Sequence, residues 1–213
     1  MIFRTINILL FILLGFNSFA QGVIEYSRDY EFKEGIYLNI EMFKQNTPIL
    51  KSQIITSIPK EQADFFSLLT ELKVVKFKDI EGKEISVDSK TLWGFCQNRS
   101  IYINFNNSFN RLNVIGSLCH FTSTVIVQGI GYNDPMNYNY GINNTYQELR
   151  QFVFDTQNNK VLEFNATNME LLLKNDDELH VEFIKLKKGK RNDSIFIYLR
   201  KYNQKHPLYL AEN

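Results

Sequence analysis

Hydrophobic and polar residues alternate over the middle of the chain, from Lys73 to Phe164. The clearest case is Ile101, Ile103 and Phe105, which are separated by single, more polar residues. Other short segments with this period are separated by turns that carry asparagine or glycine, and they lie at 75–77, 93–95, 112–121, 125–128, 151–155 and 160–164. Such alternation is typical of strands with one buried face. Because no strand–helix–strand rhythm occurs, the pattern predicts an antiparallel meander of about six to eight strands.

A helical spacing precedes this region. Four apolar residues lie at i, i+3, i+4 and i+7 and form one stripe, namely Phe65, Leu68, Leu69 and Leu72. Pro59 suits the first turn of a helix, so the pattern predicts an amphipathic helix over 59–72. A shorter helix is predicted over 40–45, where Asn39 is a good N-cap and Pro48 prevents a longer element.

The C-terminal part of the chain returns to helical spacing. We predict one helix over 169–174, a second opened by Asp176 and carrying Leu179 and Phe183, and a third that begins at Asp193. Gly189 is predicted to stop the second helix. Helices this short are unstable alone in water, so their apolar stripes should pack on the sheet. The predicted fold class is therefore α+β, with an antiparallel meander sheet, one preceding helix and a C-terminal cluster of short helices packed on it.

The first twenty residues predict a secretory signal peptide. Arg4 is their single charge, an apolar run covers 8–16, and small residues occupy positions 18 and 20. The run is too short to span a bilayer, which needs about 20 apolar residues. We expect cleavage between Ala20 and Gln21 and an exported chain, periplasmic or secreted, without a transmembrane segment. The remainder is expected to form one domain, with a sheet-rich body over 21–165 and a docked helical segment over 166–213.

Charge and composition exclude several classes of protein. Removing the leader leaves 23 basic and 23 acidic residues, and a formally neutral chain is unlike a nucleic-acid binder with its net basic face. The three histidines are isolated and no Cys-x-x-Cys occurs, so no metal or cofactor site is predicted. Two cysteines are too few for a disulfide-rich scaffold.

Cys96 and Cys119 allow three interpretations. If they lie on strands that flank a common neighbour, about 10 Å separates them, whereas a disulfide needs Cα atoms within about 7 Å. A bridge then requires a bulge or a change of register, which an exported compartment would permit. The ordinary alternative is two buried thiols that act as small apolar side chains. A catalytic thiol is disfavoured, because neighbouring His120 should point to the opposite face of its strand.

Two surface segments are candidates for contacts with an unidentified partner, such as an envelope component or another exported protein. The loop YNDPMNYNYGINNTY presents aromatic rings suited to a sugar or to a groove on a partner, at Tyr132, Tyr138, Tyr140 and Tyr146. The basic run KLKKGKR suits an anionic polymer or lipid headgroups, through Lys187, Lys188, Lys190 and Arg191. The alternatives are a loop packed on the sheet edge and a solvated helix end.

Several separated segments resemble a group of exported proteins of Bacteroidetes bacteria whose function is uncharacterised. These segments are GIYLNIEMFKQNTP, WGFCQNRSIYINF, IGSLCHF and the closing LLLKNDDELHVEFIKLKKGKRNDSIFIYLRKYNQKHPLY. The resemblance covers 35–209 and implies an exported bacterial protein with this order of elements. It assigns no catalytic residue.

Two functions from different classes agree with these observations. The first is a non-catalytic binding or interaction protein of the envelope or the secreted fraction. The alternative is a hydrolase acting on cell-wall or dietary glycans, for which the sequence identifies no carboxylate pair because the separation of such a pair depends on the fold.

Overall fold

Seven antiparallel strands form the largest sheet of the computed structural model, which describes residues 22–128 and 145–212. The strands of these residues are β1 (Val23–Glu25), β2 (Gly35–Tyr37), β3 (Ile54–Ile55), β4 (Val74–Lys78), β5 (Glu84–Asp88), β6 (Gly94–Gln97), β7 (Ser100–Phe105), β8 (Ser108–Val114), β9 (Leu118–Gln128), β10 (Thr145–Asp155), β11 (Lys160–Glu163) and β12 (Tyr209–Ala211). The helices are α1 (Ile40–Lys44), α2 (Phe65–Glu71), α3 (Ala166–Leu173), α4 (Asp177–Ile184) and α5 (Lys188–Lys205). The large sheet has the order β11-β10-β9-β8-β7-β6-β2, so β6 to β11 form a meander. The predicted α+β class is confirmed.

Asparagine forms the tight turns of the meander. Asn98 and Arg99 join β6 to β7 with φ of 50° and 59°, and Asn106 and Asn107 join β7 to β8 with φ of 53° and 61°. Asparagine adopts this left-handed conformation more readily than most residues, and two consecutive positive φ values match the twist of a hairpin. These turns set the register of three consecutive strands.

Two parts of the predicted meander are wrong. The segment with Val75 and Phe77 belongs to β4, which pairs with β3 and β5 in a separate three-stranded sheet. The buried face of β4 packs with Phe66 of α2. The alternation of apolar and polar residues in β4 therefore reflects burial against this helix and does not show membership of the large sheet. The segment 112–121 is two strands, because the chain turns between Val114 and Leu118.

The large sheet curls around an apolar core on its inner face. Tyr37, Ile101 and Phe121 point into this core from β2, β7 and β9, and each is fully buried. The ring of Phe43 from α1 stacks on Trp93 with centroids 4.7 Å apart. The pairing of β1 with β12, from Val23 opposite Ala211 to Glu25 opposite Tyr209, adds a small ribbon whose Leu210 belongs to the same core.

Two further cores cover the outer face of the sheet. On one side Ile36 and Phe95 pack with α2 and the three-stranded sheet. On the other side Leu118 and Val153 pack with the C-terminal helices, whose apolar residues at this contact are Met169, Leu172, Leu173, Leu179, Phe183, Tyr198, Leu199 and Tyr202. The predicted docking of the helices on the sheet is confirmed.

The third helix begins earlier than predicted, at Lys188 rather than Asp193, and Gly189 lies inside its first turn. Arg191 explains the difference. Its guanidinium donates to the carbonyl oxygens of Ile184 and Leu186 at the end of α4 and pairs with Glu170 of α3 at 2.8 Å. These bonds satisfy the free carbonyl groups at the end of α4, which a glycine C-cap motif would otherwise satisfy. No separate stop residue is needed, so α5 can begin within a few residues of α4.

Asp176 joins α4 to the end of α5, and its side chain is only 4% exposed. One carboxylate oxygen accepts the N–H of Leu179 and the ammonium of Lys205, at 3.0 and 2.9 Å, and the other lies 2.7 Å from the ring of His206. Burial alone would raise the pKa of Asp176, but these three partners lower it well below its usual range. The acidic helix start predicted from the sequence is therefore also an ion-pair centre.

His120 is a buried histidine between the sheet and α5. Its Nε2–H donates to Gln151 Oε1 at 3.0 Å, and its ring lies against Phe164 and Phe196. Burial lowers the pKa of His120 below 6.5, with the Gln151 bond opposing the shift. The fold thus favours the neutral ring, so its contribution to stability is complete above about pH 6.5 and is lost as the pH falls through the lower, folded pKa.

We therefore expect the midpoint of urea unfolding to decrease between about pH 6.5 and pH 5 in the wild-type protein. His120→Leu should keep the apolar contacts and remove this part of the pH dependence. His180→Leu is the matched control. A wild-type midpoint that stays constant over this interval would contradict the assignment of a buried neutral ring.

Candidate functional site

A cleft of about 630 Å³ opens where β7 and β8 separate. The ladder between these strands ends at the pair Tyr102–Arg111, and the register of β8 against β9 shifts between Leu112 and Val114. Beyond that pair, Ile101 and Leu112 line the cleft instead of facing each other across a continuous ladder. Such an irregularity next to a cavity is a common way for a sheet to form a site.

Arginine is the distinctive residue of this cleft. Arg28 follows β1, Arg99 lies in the turn between β6 and β7, Arg111 lies on β8, and Arg200 lies on α5. Within residues 22–128 and 145–212 the chain has six arginines, and four of them line this one cavity. Among the same residues the only acidic member of the lining is Glu25.

Three of the four guanidinium groups lack an acidic partner within residues 22–128 and 145–212. Arg99 pairs with Glu31 at 2.7 Å, in a contact whose side chains are 80% and 72% exposed. Arg28, Arg111 and Arg200 form no ion pair with any carboxylate of the described part of the chain. The cleft therefore presents uncompensated positive charge to solvent.

The wall formed by α5 is held rigidly against the sheet. The side-chain amide of Asn203 donates to the carbonyl of Leu118 at 2.9 Å and accepts the N–H of the same residue at 2.8 Å, as a neighbouring strand would. Ser117 Oγ–H donates to the carbonyl of His206. Gly116 leaves no room for a β-carbon beside Asn203, so close packing at this point requires glycine. The backbone of α5 near Arg200 is thus anchored to the sheet that carries Arg111.

A second cavity, a groove of about 810 Å³, lies beside the cleft on the outer face of the sheet. Its floor is aromatic, because Tyr102 stacks on Phe95 with centroids 4.7 Å apart and Phe109 lies 5.4 Å from Phe95. Its rim is polar and includes the hydroxyl, amide and charged side chains of Ser67, Thr70, Glu71, Lys73, Asp88, Ser89, Lys90, Asn107 and Ser108.

The groove and the cleft meet at one pair of residues. Tyr102 lines the groove and Arg111 lines the cleft, and these two residues are directly opposite each other on β7 and β8. Phe109 and Arg111 are two residues apart on β8 and so share a face of the sheet, with about 7 Å between them. Ring faces and guanidinium groups therefore follow one another along a single strand.

Only some of the partner contacts predicted from the sequence belong to the described residues. Tyr132, Tyr138 and Tyr140 fall outside the described residues, as do Ala20 and Gln21 at the predicted cleavage point. Tyr146 is on β10 opposite Val127 and is 53% exposed, away from both cavities.

The basic run is divided between two environments. Lys187, Lys188 and Lys190 are exposed at the start of α5 and line neither cavity, whereas Arg191 is committed to the end of α4 and to Glu170. A cation at a helix N-terminus faces the positive end of the macrodipole, so the bonds of Arg191 must outweigh an unfavourable position.

Cys96 and Cys119 are free, buried thiols on the inner face of the sheet. They lie on β6 and β9, three strand spacings apart instead of the predicted two, because β8 is a strand of its own. Burial raises the pKa of each thiol to about 12, so both are protonated at neutral pH. His120 points to the opposite face of β9, as the alternation predicted. In this structure the two side chains pack as small apolar groups.

Comparison with known proteins identifies the family. A family model described as a family of unknown function, DUF6563, matches residues 35–206, which include β2 to β11 and all five described helices. The chain belongs to this family. No curated protein and no solved structure matches the chain significantly. Three arginines of the cleft lie inside the region that matches the DUF6563 model, and Arg28 precedes it.

Two features are absent from the described residues. No helix there is long and apolar enough to cross a membrane. No three side chains of histidine, cysteine, aspartate or glutamate converge there in a way that would hold a metal ion.

Sequence reasoning missed the arginine cleft. Its four arginines stand at positions 28, 99, 111 and 200, with no shared motif and no local excess of charge. Only the meander, the β1–β12 ribbon and the docking of α5 bring them together. No sequence signal marked them, since single arginines far apart in the chain give no local pattern.

Proposed function

We propose that this member of DUF6563 is a non-catalytic, exported binding protein whose ligand is anionic and occupies the arginine cleft. The observation that carries the proposal is the cluster of Arg28, Arg111 and Arg200, which no described carboxylate neutralises. The predicted leader supports the exported location, and an envelope component or another exported protein carrying acidic groups would be a suitable partner.

Clustered guanidinium groups repel one another, and a bound anion removes that cost. The planar guanidinium group forms paired hydrogen bonds with carboxylate, sulfate or phosphate, and it is always charged. The two arginines outside the cleft in the described residues each form an ion pair with a glutamate. Arg150 pairs with Glu148 at 2.9 Å, and Arg191 pairs with Glu170 at 2.8 Å. Arg28, Arg111 and Arg200 in the cleft have no such carboxylate partner within the described residues. This difference favours an anionic ligand from outside the chain.

The hydrolase alternative would be placed in the aromatic groove, where Glu71 and Asp88 line the same cavity. Asp88 Oδ1 already accepts the N–H of Lys90 at 2.9 Å and caps the short helical turn that follows β5. A carboxylate engaged in capping supports structure better than it supports proton transfer, so we favour binding without chemistry.

Dextran sulfate and uncharged dextran provide a matched pair of probes for the proposal. We expect the purified protein to bind dextran sulfate, more weakly as salt is raised, and to leave dextran unbound. The triple variant R28E/R111E/R200E should bind dextran sulfate at least about tenfold more weakly, because it loses charge-assisted hydrogen bonds as well as net charge.

The control is K187E/K188E/K190E, which changes the net charge by the same amount at the basic run outside the cleft. Microscale thermophoresis at two salt concentrations would measure both variants, and circular dichroism would verify their folding. Equal losses in the two variants would mean that net charge alone attracts the polymer. A loss confined to the lysine variant would move the site to the basic run. Either result overturns the proposal.

A further inference from the structure

We infer that one extended ligand, an acidic oligosaccharide, occupies the arginine cleft and the aromatic groove together, an inference that rests on the proposed anionic ligand of the cleft. The geometry points to a shared ligand because the linings of the two cavities meet where β7 and β8 separate. Tyr102 of the groove and Arg111 of the cleft are direct cross-strand partners. Cross-strand neighbours of this kind have Cβ atoms about 5 Å apart, which is within reach of one ligand.

The groove offers the chemistry that a sugar ring needs. One face of a pyranose is made of C–H groups, and it buries apolar area when it lies on an aromatic ring. Phe109 and Tyr102 are both partly exposed, so they present ring surface to the groove. Hydroxyl and amide groups on the rim, such as Thr70, Asn107 and Ser108, can exchange hydrogen bonds with sugar hydroxyls.

The cleft offers the complementary chemistry for an acidic substituent. A uronate carboxylate or a sulfate ester matches the fork of a guanidinium group, and three such groups without acidic partners lie there. The arginines of the cleft therefore select an acidic substituent, and the aromatic rings of the groove select a sugar ring.

The combined dimensions require more than one sugar unit. Each cavity alone is as large as a typical small-molecule site, at about 630 and 810 Å³. The step from Phe109 to Arg111 adds about 7 Å along β8. A single monosaccharide would contact only one cavity and leave the other to solvent, so affinity should grow with chain length.

The test compares galacturonate with its linear hexamer by isothermal titration calorimetry of the purified protein. We expect the hexamer to bind at least about tenfold more tightly than the monomer, because only the hexamer reaches both cavities. Phe109→Ala should weaken the hexamer about tenfold and leave the monomer unchanged, whereas Arg111→Gln should weaken both. If Phe109→Ala reduces stability, Asn107→Asp replaces it, because this exposed turn residue adds a repelling charge to the groove without removing core packing.

The possible results separate the inference from the proposal on which it rests. Equal affinities for monomer and hexamer, with no effect of either groove variant, would overturn the spanning ligand and leave the anion cleft in place. Absence of binding to both uronates and to dextran sulfate would remove the cleft proposal itself. Poly-glutamate of similar charge is the probe for an acidic polypeptide ligand. If it binds as tightly as the hexamer, and if Phe109→Ala weakens both equally, the ligand is a polypeptide and the saccharide assignment is overturned. Maltohexaose should bind weakly, and cleavage of the hexamer detected by mass spectrometry would replace binding by hydrolysis.

Discussion

Replacing Gly94 by alanine is expected to lower the free energy of unfolding by about 3 kcal/mol. Gly94 lies in β6 between β2 and β7, and a β-carbon there would overlap the carbonyl oxygen of Tyr102 on the neighbouring strand. The obstacle is backbone, so no side-chain movement relieves it, and the two strands must separate. Since β6 contributes to both the inner core and the outer core near α2, the damage extends to both.

Gly189→Ala is the matched control for this substitution. Gly189 lies in the first turn of α5, and apart from its own stretch of helix no described atom lies within 4 Å of the position that its β-carbon would occupy. Alanine has a higher helix propensity than glycine, so this variant should gain about 0.5 kcal/mol. Thermal melts followed by circular dichroism should show a midpoint about 6 to 12 °C lower for Gly94→Ala. Similar midpoints for the two variants would contradict the close approach of β6 and β7.

Replacing Asn203 by alanine is the second substitution with a large expected effect, a loss of about 2–4 kcal/mol. The side chain of Asn203 satisfies both the N–H and the carbonyl of Leu118, and alanine leaves both groups unpaired in a buried position. The contact joins α5 to the start of β9, so its loss should also loosen the wall that carries Arg200. Urea unfolding followed by intrinsic fluorescence measures the effect.

Two companion variants identify the cause. Asn203→Asp keeps the acceptor for the Leu118 N–H but loses the donor for the carbonyl, so it should also be destabilised, with two acceptors placed against each other. Asn113→Ala removes an exposed asparagine from the lining of the same cleft and should change stability by less than about 0.5 kcal/mol. Equal effects of Asn113→Ala and Asn203→Ala would show that the paired bonds contribute little.

Local pattern was sufficient for much of the fold. The alternation around Ile101 identified β7, and the stripe through Phe65 and Leu69 identified α2, because each pattern reports burial of a single face. Burial alone does not say which sheet a strand joins, which is why Val75 and Phe77 were assigned to the meander. The start of α5 was missed for a different reason. A helix C-cap made by Arg191, seven residues beyond Ile184, leaves none of the glycine or proline signals on which sequence reasoning depends.

The candidate site was less accessible from sequence. A local excess of tyrosine or lysine predicts the contacts at Tyr138 and Lys188. The cleft is instead assembled from single residues up to 172 positions apart, Arg28 and Arg200 being the extremes. Such proximity is a property of topology. It depends on where β7 and β8 separate and on how α5 is anchored, and neither of these is encoded in the residues next to the arginines.

The pairing of β1 with β12 has a consequence for the order in which the molecule can be completed. These strands come from opposite ends of the described chain, so their hydrogen bonds require closure of a loop that contains nearly every other element. A polypeptide that emerges gradually from a ribosome must wait for Tyr209–Ala211 before this loop can close. Until then the inner core lacks Leu210, and the β1–β12 ribbon cannot form.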